Sequence, residues 1–296
     1  MKNLALLIIS IILISCSQTK KIEVNNDENF SFVFLTDVHY TPDYNAPEGF
    51  QQAIDTINKL APDFVLTGGD NIIDALGQTY SRSDSLFRMF KAATQNFEMP
   101  VYYTIGNHDI FGLYVESGIS PDHKEYGKKM YENRVAKRYY SFDHKNWHFI
   151  VLDGLGFTEN RRYCGSVDSV QVEWLKHDLE KTGKNKPVAI SIHIPLLRML
   201  PSKKGDKSKM KKSSTIPYSD ELRKLFRKYN VRLVLQGHAH IYSDIYEKGI
   251  HYIIGGAICG NGWKGPKRGT EEGFLLINVS GENFDWKYVD YGWEVK

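Results

Sequence analysis

The stretch SFVFLTDVHY, residues 31–40, joins a predicted buried strand to two polar side chains. Phe32 and Phe34 lie among β-branched residues, which favours a strand that packs into a core. Asp37 and His39 follow, separated by one residue. Because alternate residues of an extended segment face the same way, we expect this carboxylate and imidazole to point to one place at the end of the strand.

Other apolar, β-rich stretches are also predicted to be strands, and most of them end in polar residues. They span residues 63–67, 100–105, 147–152, 186–192 and 231–235. Four of them lead directly into polar motifs, which are GGD with Asp70, GNHD with Asn107, His108 and Asp109, a lone His193, and GHAH with His238 and His240. In an open α/β sheet ligands bind at the carboxyl ends of the strands, so we expect these motifs to meet at one edge.

Amphipathic stretches between the strands predict helices over residues 47–60, 170–179 and 219–229. The last sixty residues change character and give short strand-like segments. These are residues 242–247, 250–254, 273–279 and 284–289. Repeated β-α units followed by such strands predict an α/β domain closed by an antiparallel or mixed sheet.

The polar residues at the strand ends have the chemistry of metal ligands. Four imidazoles, two carboxylates and one amide oxygen without a thiolate suit Mn, Fe, Zn or Ni better than calcium or a structural zinc site. Seven ligands are too many for one tetrahedral ion and suit two ions that share a bridging carboxylate. The predicted ligands are Asp37, His39, Asp70, Asn107, His193, His238 and His240.

The ordered set D-x-H, G-D, G-N-H-D, H and G-H-x-H resembles the pattern of the calcineurin-like metallophosphoesterase superfamily. The resemblance implies a four-layer αββα sandwich of two mixed β-sheets flanked by helices. It also implies one metal held by Asp37, His39, Asp70 and His240. The second metal would be held by Asp70, Asn107, His193 and His238, so that Asp70 bridges the two.

Within the GNHD motif, the resemblance implies that His108 contacts the phosphate and protonates the leaving oxygen. Asp109 is predicted to orient that imidazole. The implied reaction is hydrolysis of a phosphoester by metal-bound hydroxide. The D-V-H and G-D-N motifs resemble the small-molecule phosphodiesterase branch. The same core also serves phosphomonoesterases and phosphoprotein phosphatases, and a non-catalytic ligand-binding surface lipoprotein is a further alternative.

Aromatic and arginine side chains in the irregular segments near these motifs are candidates for substrate contacts, since they could hold a base ring or a second phosphate. The alternative is that they simply cover the sheet edge. The candidates are Phe111, Tyr114, Arg161, Arg162 and Trp263.

The first residues, MKNLALLIISIILISC, have the length and character of a signal peptide and end in a sequence that resembles the lipobox of bacterial lipoproteins. We therefore predict a signal peptide over residues 1–15, a lipidated Cys16 that begins a tether over 16–29, and a metallophosphoesterase domain over 30–296. An unlipidated secretory signal and an uncleaved anchor are the alternatives.

These features predict a protein of the bacterial cell envelope, periplasmic or at the cell surface, held to the membrane by its lipid and acting on a small-molecule phosphoester. The formal net charge of +3 gives no reason to expect nucleic acid as a partner. Cys164 and Cys259 are expected to be free thiols, although an oxidising compartment would allow them to pair.

Overall fold

The computed structural model describes residues 28–197 and 215–295, which form thirteen strands and five α-helices. The strands are β1 (Asn29–Leu35), β2 (Phe64–Thr67), β3 (Val101–Tyr102), β4 (Tyr140–His144), β5 (Trp147–Leu152), β6 (Leu155–Phe157), β7 (Tyr163–Gly165), β8 (Val188–Ile192), β9 (Val231–Gln236), β10 (Tyr242–Glu247), β11 (Ile250–Gly255), β12 (Gly273–Ser280) and β13 (Asn283–Asp290). The helices are α1 (Ala46–Leu60), α2 (Tyr80–Ala93), α3 (Lys129–Arg134), α4 (Ser169–Thr182) and α5 (Ser219–Phe226).

The strands form two large mixed sheets and one small hairpin. The first sheet has the order β13-β12-β1-β2-β3, and the second has the order β10-β11-β9-β8-β5-β4. In the first sheet β1 pairs with β2 in parallel and with β12 in antiparallel register. In the second, β5, β8, β9 and β11 are parallel neighbours. The predicted mixed α/β architecture is confirmed.

An aromatic core fills the space between the two sheets. The ring centroid of Phe149 on β5 lies 5.3 Å from that of Phe32 on β1 and 5.1 Å from that of Phe64 on β2. All three side chains are at most 1% exposed. Burying a phenylalanine side chain stabilises a fold by about 1.5–3 kcal/mol, so these contacts hold the sheets face to face.

Successive side chains of β1 point to opposite faces of the sheet, and the face that does not meet the second sheet packs against helices. Val33 and Leu35 belong to a second buried cluster, together with Phe50 and Ile54 of α1. The helical spacing of these α1 residues produced the prediction for 47–60, and Pro47 lies in the first turn, where its missing N–H costs no hydrogen bond. The helices therefore flank the sheet pair.

Every strand predicted from the sequence is present; 147–152 and 242–247 match β5 and β10, and the bounds of the others differ. The largest difference is at residues 100–105, where the sheet pairing covers only Val101–Tyr102. After Tyr102 the chain leaves the sheet, and the N–H of Tyr103 donates to the hydroxyl of Tyr140. Sequence analysis did not identify β4, β6, β7, α2 or α3.

Within the described residues, no helix is long and apolar enough to cross a membrane. The predicted signal peptide, Cys16 and most of the predicted tether lie outside the described residues, so their assignments remain predictions.

Candidate metal centre

The seven predicted ligands converge at the carboxyl-terminal edge of both sheets. Asp37 and His39 follow β1, and Asp70 follows β2. Asn107 begins a 3-10 helix, Asn107–Asp109, beyond β3. The remaining ligands follow β8 and β9 of the second sheet and are His193, His238 and His240.

Five of these ligands have a left-handed backbone. Their φ angles are 55° at Asp37, 47° at His39, 51° at Asp70, 69° at His238 and 55° at His240. The extended geometry expected for the D-x-H pair is therefore wrong: the two side chains converge through left-handed turns. Such strain is uncommon away from glycine and clusters at functional sites.

The first group of ligands surrounds Nε2 of His39. This atom lies 3.1 Å from Nε2 of His240 and 3.6 Å from Oδ2 of Asp70. Nε2 of His240 in turn lies 3.2 Å from Oδ1 of Asp37. Nitrogen and oxygen donors thus face one small volume.

The second group shares Asp70 with the first. Oδ2 of Asp70 lies 3.1 Å from Nε2 of His193, which is also 3.2 Å from Oδ1 of Asn107. The same amide oxygen lies 2.9 Å from Nδ1 of His238. Histidines of both groups therefore approach one carboxylate oxygen of Asp70.

Backbone carbonyls fix the orientation of two of the imidazoles. Nδ1 of His193 lies 2.7 Å from the carbonyl oxygen of Gly68, and Nδ1 of His240 lies 2.7 Å from that of Gly260. A carbonyl can only accept a hydrogen bond, so Nδ1 carries the proton and Nε2 keeps its lone pair for a metal. Gly69, with φ of 97°, allows His193 this close approach, because a Cβ there would lie 2.6 Å from Nδ1.

Burial and carboxylates act in opposite directions on the imidazoles. Burial lowers the pKa of His39 to about 3 and that of His238 to about 4. Burial acts the same way on His193 and His240, but the carboxylates of Asp70 and Asp37 outweigh it and raise the pKa values to about 9 and about 11 respectively.

The donor set fits two cations. The two groups contain buried nitrogen and oxygen donors of the type that Mn, Fe, Zn and Ni bind, and they share one carboxylate. Bound cations would take the place of the protons that the carboxylates otherwise draw onto His193 and His240. As metal ligands, the four histidines would be neutral and Asp70 would be ionised.

His108 lies beside the first group without belonging to either. Its ring centroid is 4.7 Å from that of His39, and its side chain is 34% exposed. Its backbone N–H donates to Oδ1 of Asp70 over 2.7 Å. Burial lowers the pKa of the His108 imidazole, but the carboxylates of Asp70 and Asp74 outweigh burial and raise it.

The carboxylate beside the His108 imidazole is Asp74, which sequence analysis missed. Oδ1 of Asp74 lies 3.5 Å from Nδ1 of His108. The backbone N–H groups of Leu76 and Gly77 donate to Asp74 and hold it in place. Its position in the same loop as Asp70, four residues further on, is the signal that could have identified it.

Asp109 does not take the predicted orienting position. Its buried carboxylate accepts hydrogen bonds from the N–H groups of Gly106 at 2.8 Å and Asn71 at 3.0 Å. The side-chain amide of Asn71 donates a further bond at 2.8 Å. Burial and the Asp70 carboxylate raise the pKa of Asp109 to about 7, and the N–H donors oppose that shift.

Three of the predicted substrate contacts have structural roles instead: Phe111 and Trp263 are buried, and the guanidinium of the half-buried Arg161 is occupied by backbone carbonyls. Phe111 and Trp263 are at most 1% exposed, and the indole N–H of Trp263 donates to the His39 carbonyl over 3.2 Å. The guanidinium of Arg161 donates to the carbonyl oxygens of Gly112 and Leu113. These side chains support the loops around the ligands.

Tyr114 and Arg162 remain at the surface near Asp74. The N–H of Tyr114 donates to the carbonyl of Leu76 over 2.8 Å, which places Tyr114 close to the Asp74 loop. The Arg162 guanidinium lies 4.3 Å from the centroid of the Tyr114 ring and pairs with Glu116 at 2.6 Å. Whether they contact a substrate stays a prediction.

Both described cysteines are free. Cys259 is buried, with Sγ 3.7 Å from Nδ1 of His240, and Cys164 is half-buried on β7. The expectation of two unpaired thiols agrees with this arrangement.

Comparison with protein families identifies the class of this site. Residues 30–242 match the model of the calcineurin-like phosphoesterase family, and the chain belongs to that family. It is therefore a metallophosphoesterase, an enzyme that hydrolyses phosphoric esters, and the family implies a dinuclear metal site. No match was found among curated protein sequences.

Solved structures share the fold at low sequence identity. A dimetal phosphatase from Danio rerio has a TM-score of 0.62 and 15% identity, over 89% of this chain and 96% of that one. GAP50, the anchor in the inner membrane complex of Plasmodium, has a TM-score of 0.59 and 18% identity, over 90% and 86%. The purple acid phosphatase PPD1 from yellow lupin seeds has a TM-score of 0.57 and 16% identity, over 89% and 52%.

Proposed function

We propose that this enzyme is a dinuclear phosphodiesterase that acts on a small diester in the cell envelope or outside the cell. The observation that carries the proposal is the position of Asp70, whose Oδ2 lies 3.1 Å from Nε2 of His193 and 3.6 Å from Nε2 of His39. A carboxylate between two nitrogen donors from different sheets is suited to bridge two ions.

When bound, two such ions neutralise phosphoryl charge and activate a water for in-line attack at phosphorus. Asp37, His39, Asp70 and His240 would hold one ion, and Asp70, Asn107, His193 and His238 would hold the other. His108 is the group placed to give a proton to the leaving oxygen, because it is partly exposed and carboxylates raise its pKa. Asp74, whose Oδ1 lies 3.5 Å from Nδ1 of His108, favours the protonated form of this imidazole by its negative charge.

The charged residues in the segments near His108 favour a diester over substrates that carry more negative charge, such as a monoester or a compound with several phosphates. A diester carries one negative charge, whereas a monoester carries up to two near neutral pH. Both arginines predicted to contact the substrate have partners within the protein: Arg161 donates to backbone carbonyls, and Arg162 pairs with Glu116. The Arg161 guanidinium is therefore not free to pair with an additional phosphate, and Arg162 would have to leave its exposed pair with Glu116 to do so.

We also propose that the enzyme is lipid-anchored in the envelope. The proposal rests on the apolar run before Cys16 and on the lipobox-like sequence that ends at this cysteine. Cleavage before Cys16 and its acylation would leave residues 17–29 as a polar tether to the described domain.

The test compares nitrophenyl phosphodiester with nitrophenyl phosphomonoester as substrates of the manganese-loaded enzyme, with bound metal measured on the same samples. We expect two metals per chain and a higher kcat/KM for the diester. Preference for the monoester would assign the enzyme to the phosphatase class with the same site. Two bound metals without turnover of either substrate would favour the non-catalytic binding alternative.

A further inference from the structure

We infer that Asp109 is a positioning residue that clamps together the two loops which carry Asp70 and Asn107. The inference rests on the proposed dinuclear site and assigns to Asp109 a task different from orienting His108. In this assignment the carboxylate controls metal affinity, and it has no part in proton transfer to the leaving group.

The clamp consists of hydrogen bonds that reach both loops from one carboxylate. On the Asp70 side, Oδ1 of Asp109 accepts from the backbone N–H of Asn71 at 3.0 Å and of Ile72 at 3.3 Å. On the Asn107 side, Oδ2 accepts from the backbone N–H of Gly106 at 2.8 Å. Each of these hydrogen-bond partners is a donor, so the acceptor oxygens of a carboxylate match them.

Asn71 extends the clamp to a third segment. Its side-chain amide donates to Oδ2 of Asp109 over 2.8 Å and to the carbonyl oxygen of Thr104 over 2.9 Å. Asn71 and Asp109 are both fully buried. An unsatisfied buried donor costs about 1–3 kcal/mol, so neither residue can turn away without penalty.

The loops that this clamp joins are in direct contact. A Cβ on Gly106 would lie 1.9 Å from the backbone nitrogen of Asp70 and 2.3 Å from its Oδ1. Asn71 immediately follows Asp70, and Gly106 immediately precedes Asn107. The clamped atoms are therefore one residue from two metal ligands, and both of these ligands belong to the second predicted site.

The position of Asp109 separates this task from the chemistry of His108. The carboxylate near the His108 imidazole is Asp74, whereas the hydrogen bonds of Asp109 go to backbone and amide N–H groups. Loss of the clamp should therefore weaken metal binding, while loss of Asp74 should change the proton-transfer step.

The experiment measures manganese affinity and stoichiometry by calorimetric titration of the purified enzyme and its variant Asp109→Asn. The asparagine keeps the shape but replaces one accepting oxygen with a donor that faces N–H groups. We expect manganese affinity to fall tenfold to a hundredfold at the second site, as for other groups behind metal ligands, and to fall less at the first site, which shares only Asp70 with the clamped loops. Turnover should recover in excess manganese, and the pH profile of kcat should keep its shape.

Asp178→Asn is the matched control, because Asp178 is also a largely buried carboxylate but pairs with His148, at the amino-terminal end of β5 and so at the opposite end of the sheet from the ligands. It should lower the melting temperature and leave manganese affinity unchanged. If Asp109→Asn does not fold, Asn71→Ala removes only the side-chain part of the clamp and should weaken manganese binding in the same direction.

Unchanged manganese affinity in either clamp variant would overturn the inference. The inference would also be overturned if Asp109→Asn shifted the pH profile of kcat as Asp74→Asn does. That result would mean that Asp109 orients His108, as predicted from the sequence. Failure of the wild-type enzyme to bind two metals would instead refute the dinuclear site itself, so the two failures are distinguishable.

Discussion

Nδ1 of His108 lies 3.5 Å from Oδ1 of Asp74, and no other residue places a carboxylate oxygen nearer to that nitrogen among the contacts of the described chain. The two residues come from different loops, each of which also contributes a metal ligand. A paired carboxylate of this kind fixes an imidazole's orientation and favours its protonated form. The pair thus links the proposed proton donor to the loop that holds Asp70.

Replacing Asp74 with asparagine should lower the pKa of His108, since Asp74 is among the carboxylates that raise it. The protonated imidazole would then be lost at a lower pH as the pH rises. We expect the alkaline limb of the kcat profile to move to lower pH and kcat to fall about tenfold or more. Manganese stoichiometry should remain at the wild-type value, and a loss of metal would mean that Asp74 supports the ligands instead.

His108→Ala should retain both metals and lose about 100-fold to 10,000-fold in kcat on a diester with a poor leaving group. The loss should be smaller with nitrophenol as the leaving group, which departs without a proton. Rates on an alkyl and a nitrophenyl diester, measured side by side, check this difference. An equal loss on both substrates would argue against proton donation by His108.

Asp70→Ala should reduce bound metal from two ions per chain toward none, because both groups of ligands use this carboxylate. Asn107→Ala is the comparison, since the Asn107 side chain contacts His193 and His238, which belong to the second group. It should weaken one site and spare the other. Metal analysis after gel filtration distinguishes the two outcomes, and equal retention in both variants would contradict the bridge.

His148 predicts a pH dependence of stability that is separate from the metal centre. Its ring nitrogens lie 2.6 Å from Asp143 and 2.9 Å from Asp178, and Lys186 pairs with Asp143. Burial lowers the pKa of His148, but the two carboxylates outweigh it and raise the pKa above the ordinary value of 6.5. The stabilisation is therefore complete below that ordinary value and is lost as pH rises through the folded-state pKa.

Urea unfolding of the wild type and His148→Gln at several pH values tests this dependence. The wild type should be more stable than the variant at about pH 6, and the difference should shrink toward about pH 9. A difference that stays constant with pH would mean that His148 is uncharged in the folded protein.

Cys16→Ser should release the protein from the membrane fraction of expressing cells without changing kcat or KM. The cysteine is the proposed acylation point, and the metal ligands are far along the chain. Fractionation followed by assay of both fractions checks the result. Retention of Cys16→Ser in the membrane would support an uncleaved anchor instead.

Most of the metal ligands were predictable because they follow buried strands whose apolar pattern is plain in the sequence. Asp37 and Asp70 could be assigned in this way without any knowledge of the turns that bring them together. The left-handed backbone at Asp37 was not predictable, because such a conformation depends on contacts between loops. The stacking of two sheets in a four-layer sandwich likewise followed only from the family resemblance.

Residues around the ligands were harder to assign, since a sequence does not show which side chains are buried. Trp263 and Arg161 have the chemistry of substrate contacts, yet both donate to backbone carbonyls, Trp263 from a buried position and Arg161 from a half-buried one. The role of Asp109 was predicted from its position next to His108 in the sequence. In the structure the loops place the carboxylate of Asp74, and not that of Asp109, beside the His108 imidazole. Helix α2 was missed because its apolar positions are separated by a largely polar stretch.

The described chain enters the first sheet at Asn29, at the end of the sandwich where Lys145 contacts the Asn29 carbonyl and Trp147 donates to that of Gly281. The ligands follow the opposite end of β1, about 23 Å away for seven residues of strand. An affinity tag, a fluorophore or a solid support joined to the chain before Asn29 would therefore lie at the end of the domain opposite the metal ligands. It would not obstruct access to them. The amino-terminal end of the described domain is therefore a suitable attachment point for immobilising the active phosphoesterase.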